Sequence, residues 1–286
     1  MDHEPGLDLL AAHRSLLQRA VDYFRDDRRV VGLVLGGSLA HGAVDSYSDV
    51  DLYIVVHDES FDAVFEERVV VALALGSPLL SFAVDPIPGG SRDYIVTYPG
   101  PIKFDLMYHR ESELAPAPKW TGSVVLKDAS GLVGNVLARS QNLAPPTPSS
   151  EELLELDKRF WTLCWYVFGK IMRGELWEAL AGIHSIRSDA LLPMLDWTTG
   201  GPHEGYRRLE TRLDPKMAER LGNTLSLLEA GALFDALQAE ISLFRDLCEP
   251  LFERTGSTYD SGPGDEIKDE IVRRWNARAS TMTRSE

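Results

Sequence analysis

A chain of 286 residues with 44% apolar side chains is long enough for two ordinary domains with real cores. Its 44 acidic residues against 29 basic ones leave a formal charge of −15 at pH 7, which weighs against a nucleic-acid partner, because proteins that grip a phosphate backbone concentrate Lys and Arg to displace counterions. No run approaches the roughly 18 uninterrupted apolar residues of a membrane helix, and the start, MDHEPGLDLL, is acidic where a secretory leader is basic, so a cytoplasmic protein with no membrane partner is expected.

Residues 7–28 place Leu9, Leu10, His13, Leu16, Leu17, Ala20, Val21 and Phe24 at helical spacing, which predicts a lead-in amphipathic helix. VVGLVLGGS then reads as a buried strand running into a turn, and SDVDLYIVV as a second strand. Residues 61–75 are helix-like, and LLSFAV, DYIVTY and IKFDLMY are three further strand candidates separated by Pro and Gly. Composition changes at NLAPPTPSS, residues 142–150, where three prolines and three hydroxyl residues fit neither regular element. This sets the expected organisation: a first domain over 1–142, a linker over 143–150, and a second domain over 151–286. Ser149 or Ser150 caps the helix that follows, and helical segments are predicted over 176–196, about 203–212, 215–230 and 232–254, with a loop and one short helix after Thr255. Cys164 and Cys248 lie within helical patterns and lack metal-ligand spacing, so they read as buried thiols, and FWTLCWYVF, residues 160–168, reads as core. The expected fold class is α+β: a mixed sheet with flanking helices, then an α-helical bundle.

The stretch GGSLAHGAVDSYSDVDLYIVV, residues 36–56, carries the chemistry. Side chains alternate along a strand, so Asp49 and Asp51 point the same way with Cα atoms about 6.5 Å apart, within reach of one hard cation, while Val50 and Leu52 face the core. Two adjacent carboxylates repel and persist cheaply only beside a cation or basic group. Oxygen donors suit Mg²⁺, which commonly adds substrate phosphates to a few protein carboxylates. Gly36, Gly37 and Ser38 supply the complementary half, a turn whose backbone and hydroxyl can approach phosphate oxygens, with a helix expected over 39–45. Asp105, in IKFDLMY, fits as a third acid on a neighbouring strand.

The Gly-Ser turn followed by Asp-x-Asp and a later strand acid resembles the signature of the DNA polymerase β-type nucleotidyltransferase superfamily, over roughly residues 25–110. The helical half, with GKIMRGELWEALAGIHSIRSDALLPMLDW, is similar in pattern to the aminoglycoside and lincosamide nucleotidyltransferases. The resemblance implies an adenylyltransferase with ATP as donor and two Mg²⁺ ions held by Asp49, Asp51 and Asp105. Gly37 and Ser38 would then meet the nucleotide phosphates. His41 stands where many relatives carry Arg, as a weaker or pH-dependent phosphate contact, and Lys170 matches a phosphate-binding lysine of relatives. The general base is Asp105 or an acid of the helical half: Glu175, Glu178, Asp189 or Glu204. Arg173 and Arg187 read either as phosphate contacts or as structural residues. The implied acceptor is a hydroxyl of a small, cationic molecule bound in a cleft between the domains, an antibiotic of the aminoglycoside or lincosamide type, which the acidic charge suits. Transfer of AMP to a protein hydroxyl, or a non-catalytic antitoxin-type module, are the alternatives, and the assembly is expected to be a monomer or homodimer.

Overall fold

The computed structural model describes residues 5–42, 44–84, 90–201 and 205–282. They divide into two compact units, Met1–Leu143 and Ala144–Glu286.

In the first unit a helix α1 (Pro5–Phe24) leads into β1 (Val30–Leu35), the short helix α2 (Gly37–His41) and β2 (Val50–Val56). Helices α3 (Phe61–Glu66) and α4 (Arg68–Leu75) precede β3 (Leu80–Ala83), β4 (Arg92–Tyr98) and β5 (Ile102–Arg110), and β6 (Val124–Asp128) and α5 (Leu132–Ser140) close the unit. The described strands form one six-stranded sheet in the order β3-β4-β5-β2-β1-β6. β2 and β5 pair in parallel, and the other neighbours pair antiparallel.

Alternation sorts the side chains between two faces. Val50, Leu52, Ile54 and Val56 of β2 are fully buried with Phe104, Leu106 and Tyr108 of β5 against Leu16, Ala20 and Phe24 of α1 and Phe61 and Val71 of α3 and α4. On the opposite face a smaller core joins Val34 and Val55 to Trp120 and to Val133 and Val136 of α5. That second cover is partial, and Asp51 and Asp105 stand on the same face by alternation. The predicted helix over 61–75 is two helices, hinged at Glu67. β6 and α5 lie in a stretch for which no element is predicted above.

The second unit is helical: α6 (Ser150–Met172), α7 (Leu176–Ile186), α8 (Leu192–Thr199), α9 (Leu209–Arg212), α10 (Pro215–Gly222), α11 (Ala230–Arg254) and α12 (Gly262–Met282). Ser149, not Ser150, is the N-cap of α6: its hydroxyl accepts from the Glu152 N–H at 3.1 Å while its own N–H donates to Glu152 Oε2 at 2.7 Å. Phe160, Trp161, Cys164, Val167 and Phe168 are buried as expected, with Phe160 stacked on Phe244 at 3.5 Å between centroids, and both cysteines are free, buried thiols. A π-helical turn, Arg187–Leu191, joins α7 to α8. Arg187 is buried there, donating to Thr224 Oγ1 and its carbonyl, each at 2.6 Å, so the structural reading of this arginine holds. Residues 205–208 form a turn, not the start of the helix predicted over 203–212, and Arg208 adopts a left-handed φ of 51°. After Thr255 the expected short helix is the 21-residue α12. No described helix is long and apolar enough to cross a membrane.

One ion network holds the entry to the sheet. Arg29 donates to Asp27 Oδ2 at 2.7 Å and to both oxygens of Glu67 at 2.6 and 2.8 Å, tying the α1–β1 turn to the α3–α4 hinge. Its hydrogen bonds outweigh burial and hold both carboxyls below the usual range. A depressed folded-state value gives stability that is present above the ordinary carboxylate range and is lost as pH falls through the folded value. Arg29→Met is therefore expected to cost about 1 kcal/mol at pH 7, kept small by partial exposure. Urea unfolding of the two proteins should converge once acid has protonated both carboxyls.

Candidate active site

The parallel pairing of β2 with β5 sets Asp51 directly opposite Asp105, as Val50 opposes Phe104. Paired strands lie about 4.8 Å apart, so the two carboxylates stand side by side. Asp49, one residue ahead of β2, shares their face, and one ligand oxygen from each of Asp49, Asp51 and Asp105 lies within 4.8 Å of the others.

β1 ends against the start of β2, where the Gly36 N–H donates to the Asp51 carbonyl at 2.9 Å. Gly37 has a φ of 63°, and a Cβ there would come within 1.8 Å of Asp51 Oδ2. Only glycine serves, both for the left-handed backbone and for the space. The helix expected over 39–45 is instead the single turn α2, ended by Gly42 at φ 70°, and Ser38 lies half-buried in its first turn. His41 sets its Nδ1 2.6 Å from the Gly37 carbonyl and its Nε2 3.0 Å from the Thr121 carbonyl, bracing α2 against the segment after Trp120. Below the turn, Tyr53 packs edge-on to Trp120 at 4.7 Å between centroids and lies against His109, whose value burial lowers to about 4. This neutral aromatic block supports Gly36, where a Cβ would meet the Tyr53 ring at 2.7 Å.

A residue absent from the predicted set enters the site. The Lys103 ammonium lies 3.0 Å from Asp49 Oδ2 and 2.5 Å from Asp105 Oδ2. The signal for it was its spacing: two residues before Asp105 on a strand means the same face. Burial lowers the Lys103 value, but hydrogen bonds to Asp105 and Asp49 more than offset that and hold it up. Asp105 is nevertheless pushed above the usual carboxylate range, by burial first, and Asp49 and Asp93 add to this against the opposing Lys103. The two directions agree physically: one ammonium does not neutralise three carboxylates. Asp105 Oδ1 is buried without a hydrogen-bond partner. An orphaned acceptor, three hard oxygen donors and a residual negative charge are what a Mg²⁺ site needs from its protein, so the residues fit the ion.

The other predicted residues belong to the second unit. Lys170, on α6 of the second unit, donates to Glu175 Oε2 at 2.5 Å and lies over the Tyr166 ring, and Arg173 donates to Glu175 Oε1 at 2.6 Å. Glu178 accepts from the Tyr166 hydroxyl at 2.7 Å and Asp189 from Ser188 at 2.8 Å. Glu204 lies outside the described residues.

A family model described as streptomycin adenylyltransferase matches residues 12–271 of the chain. Similar solved structures include an aminoglycoside 6-adenyltransferase from Bacillus subtilis, at 16% identity over 91% of this chain and 97% of that one, with a TM-score of 0.45. Another is a nucleotidyltransferase-like protein from Exiguobacterium sibiricum 255-15, at 13% identity over 85% of this chain and 77% of that one, with a TM-score of 0.40. No curated protein matches the sequence significantly.

The contact between Gly37 and Asp51 makes a direct prediction. Gly37→Ala adds a methyl where the carboxylate stands and strains the backbone by about 1 to 2 kcal/mol. Mn²⁺ affinity, measured by titration calorimetry, is expected to fall by an order of magnitude or more, while far-ultraviolet circular dichroism stays that of the parent.

Proposed function

The chain belongs to the streptomycin adenylyltransferase family, and from that premise we propose that this nucleotidyltransferase is Mg²⁺-dependent and moves AMP from ATP to a hydroxyl of a small cationic acceptor. An aminoglycoside such as streptomycin is the first candidate, which the family name and the charge of −15 both support. The observation that carries the reading is the meeting of Asp49, Asp51 and Asp105 within 4.8 Å beside a glycine turn.

The reaction is attack by the acceptor oxygen on the α-phosphorus of ATP: the new O–P bond forms, the bond to the β-phosphate bridge breaks, and pyrophosphate leaves with its electrons. Bound Mg²⁺ would supply neutralisation of the charge that develops on the phosphoryl and leaving oxygens. Asp49, Asp51 and Asp105 would hold it. Gly37 and Ser38 would receive the triphosphate at the mouth of α2, with the Ser38 hydroxyl and the turn's N–H groups as donors. His41, whose ring faces two carbonyls, holds that turn in place, and its contribution to phosphate binding is through the turn's shape. Asp105 is the candidate acceptor of the hydroxyl proton, through whichever of its carboxylate oxygens is not on the ion.

Incubation with ATP, Mg²⁺ and a panel of aminoglycosides and lincosamides, read by mass spectrometry, is expected to give an AMP adduct on at least one aminoglycoside. Asp51→Asn should lower that rate by a factor on the order of 100 or more. Label from ATP appearing in protein would move the acceptor to a macromolecule, and the absence of pyrophosphate release with every acceptor would remove the reading.

A further inference from the structure

Lys103 does more than balance charge at the edge of the site, because its ammonium bridges two of the three acids that would share a cation. It lies 3.0 Å from Asp49 Oδ2 and 2.5 Å from Asp105 Oδ2. Mg²⁺ bonds to oxygen at about 2.0 to 2.1 Å, so an ion shared by these carboxylates would stand within a few ångströms of an ammonium hydrogen-bonded to two of them, and the two cations would repel each other strongly. The two cations compete for the same cluster of acids. On the reading that the three acids bind a divalent ion, we propose that Lys103 is the resident counter-cation of the site, holding the metal's place until the ion displaces it and thereby setting how tightly the site takes metal before nucleotide arrives.

Three features support exchange over a permanent ion pair. The ammonium brings one positive charge to the three acids and a dication brings two, so the swap improves the balance. The Lys103 side chain is 46% exposed, and its flexible four-carbon stem can carry the ammonium into water while Ile102 and Phe104, buried on either side, keep the strand fixed. The acids do not depend on Lys103 for their positions, because the β2–β5 register places Asp51 against Asp105 through backbone pairing. Removing the ammonium therefore removes a competitor without dismantling the ligand set.

The test compares the full-length protein with Lys103→Met and Lys103→Gln, using Mn²⁺ alone as probe, at fixed ionic strength and with no nucleotide or acceptor. Both variants are expected to bind Mn²⁺ tighter than the parent, by a factor on the order of ten, the effect of a half-exposed charge at contact distance. In metal-free buffer they should melt lower than the parent, and Mn²⁺ should raise their melting temperatures by more. Equal or weaker Mn²⁺ binding by variants with the parent's circular dichroism overturns the proposal. If Asp51→Asn abolishes Mn²⁺ binding while the Lys103 variants match the parent, the metal site stands and only the role of Lys103 falls. If the parent and all variants fail to bind Mn²⁺ at millimolar concentration, the metal reading falls and the proposal with it.

Discussion

The parallel pairing of β2 with β5 is the constraint on which the site depends. Both strands carry a full apolar row on one face, Val50 to Val56 and Phe104 to Tyr108, buried under α1, α3 and α4. A slip of one residue would turn that row outward and drive Asp51 or Asp105 into the core, at the cost of burying an unpaired carboxylate. Hydrophobic burial on one side of the sheet thus fixes, by strict alternation, where the acids stand on the other. The crossover that makes the pairing parallel runs through α3, α4 and the β3–β4 hairpin, so most of the first unit serves to bring two short segments side by side.

That arrangement is electrostatically unfavourable by itself. Three carboxylates within 4.8 Å repel, and burial on the strand pushes Asp105 up further. The fold tolerates this because the favourable term lies elsewhere, in two apolar cores that do not involve the acids. Lys103 relieves part of the repulsion from the same strand face, and the missing side chain at Gly37 leaves Asp51 the room it occupies beside the turn. A site poised in this way gains more from a dication than a relaxed set of acids would.

Much of this was legible in the sequence, and the gaps have physical causes. Asp49, Asp51 and the glycine turn declared themselves because period-two alternation and glycine's backbone freedom are local properties. Asp105 could be named from its strand, but its register with Asp51 is a pairing between distant segments that no local pattern encodes. Lys103 followed the same alternation and was passed over because an exposed strand lysine is commonplace. β6 and α5 went unseen because SVVLKD is short and half-exposed and LVGNVLARS has a glycine within its apolar stripe. The helix over 61–75 divides at Glu67, whose carboxylate is held by Arg29, a tertiary contact that no local pattern shows. In the helical unit, Arg187 offered no local sign of burial, since its partner Thr224 is far along the chain.

Topology also decides why the glycine turn and the acids share one end of the sheet. β1 runs antiparallel to β2, so the C-terminal end of β1, where Gly36, Gly37 and Ser38 follow, meets the N-terminal end of β2, where Asp49 and Asp51 lie. β5 runs parallel to β2, so its own N-terminal half, with Lys103 and Asp105, arrives at that same end. Farther along both strands the face is closed by Tyr53, His109 and Trp120, apolar or neutral groups packed against the α5 side. Charge is not confined to the acidic end, because the Lys119 ammonium lies over the Tyr53 and Trp120 rings at 5.6 and 4.7 Å from their centroids. The acids and the glycine turn meet at that end, and the directions of three strands are sufficient to explain why.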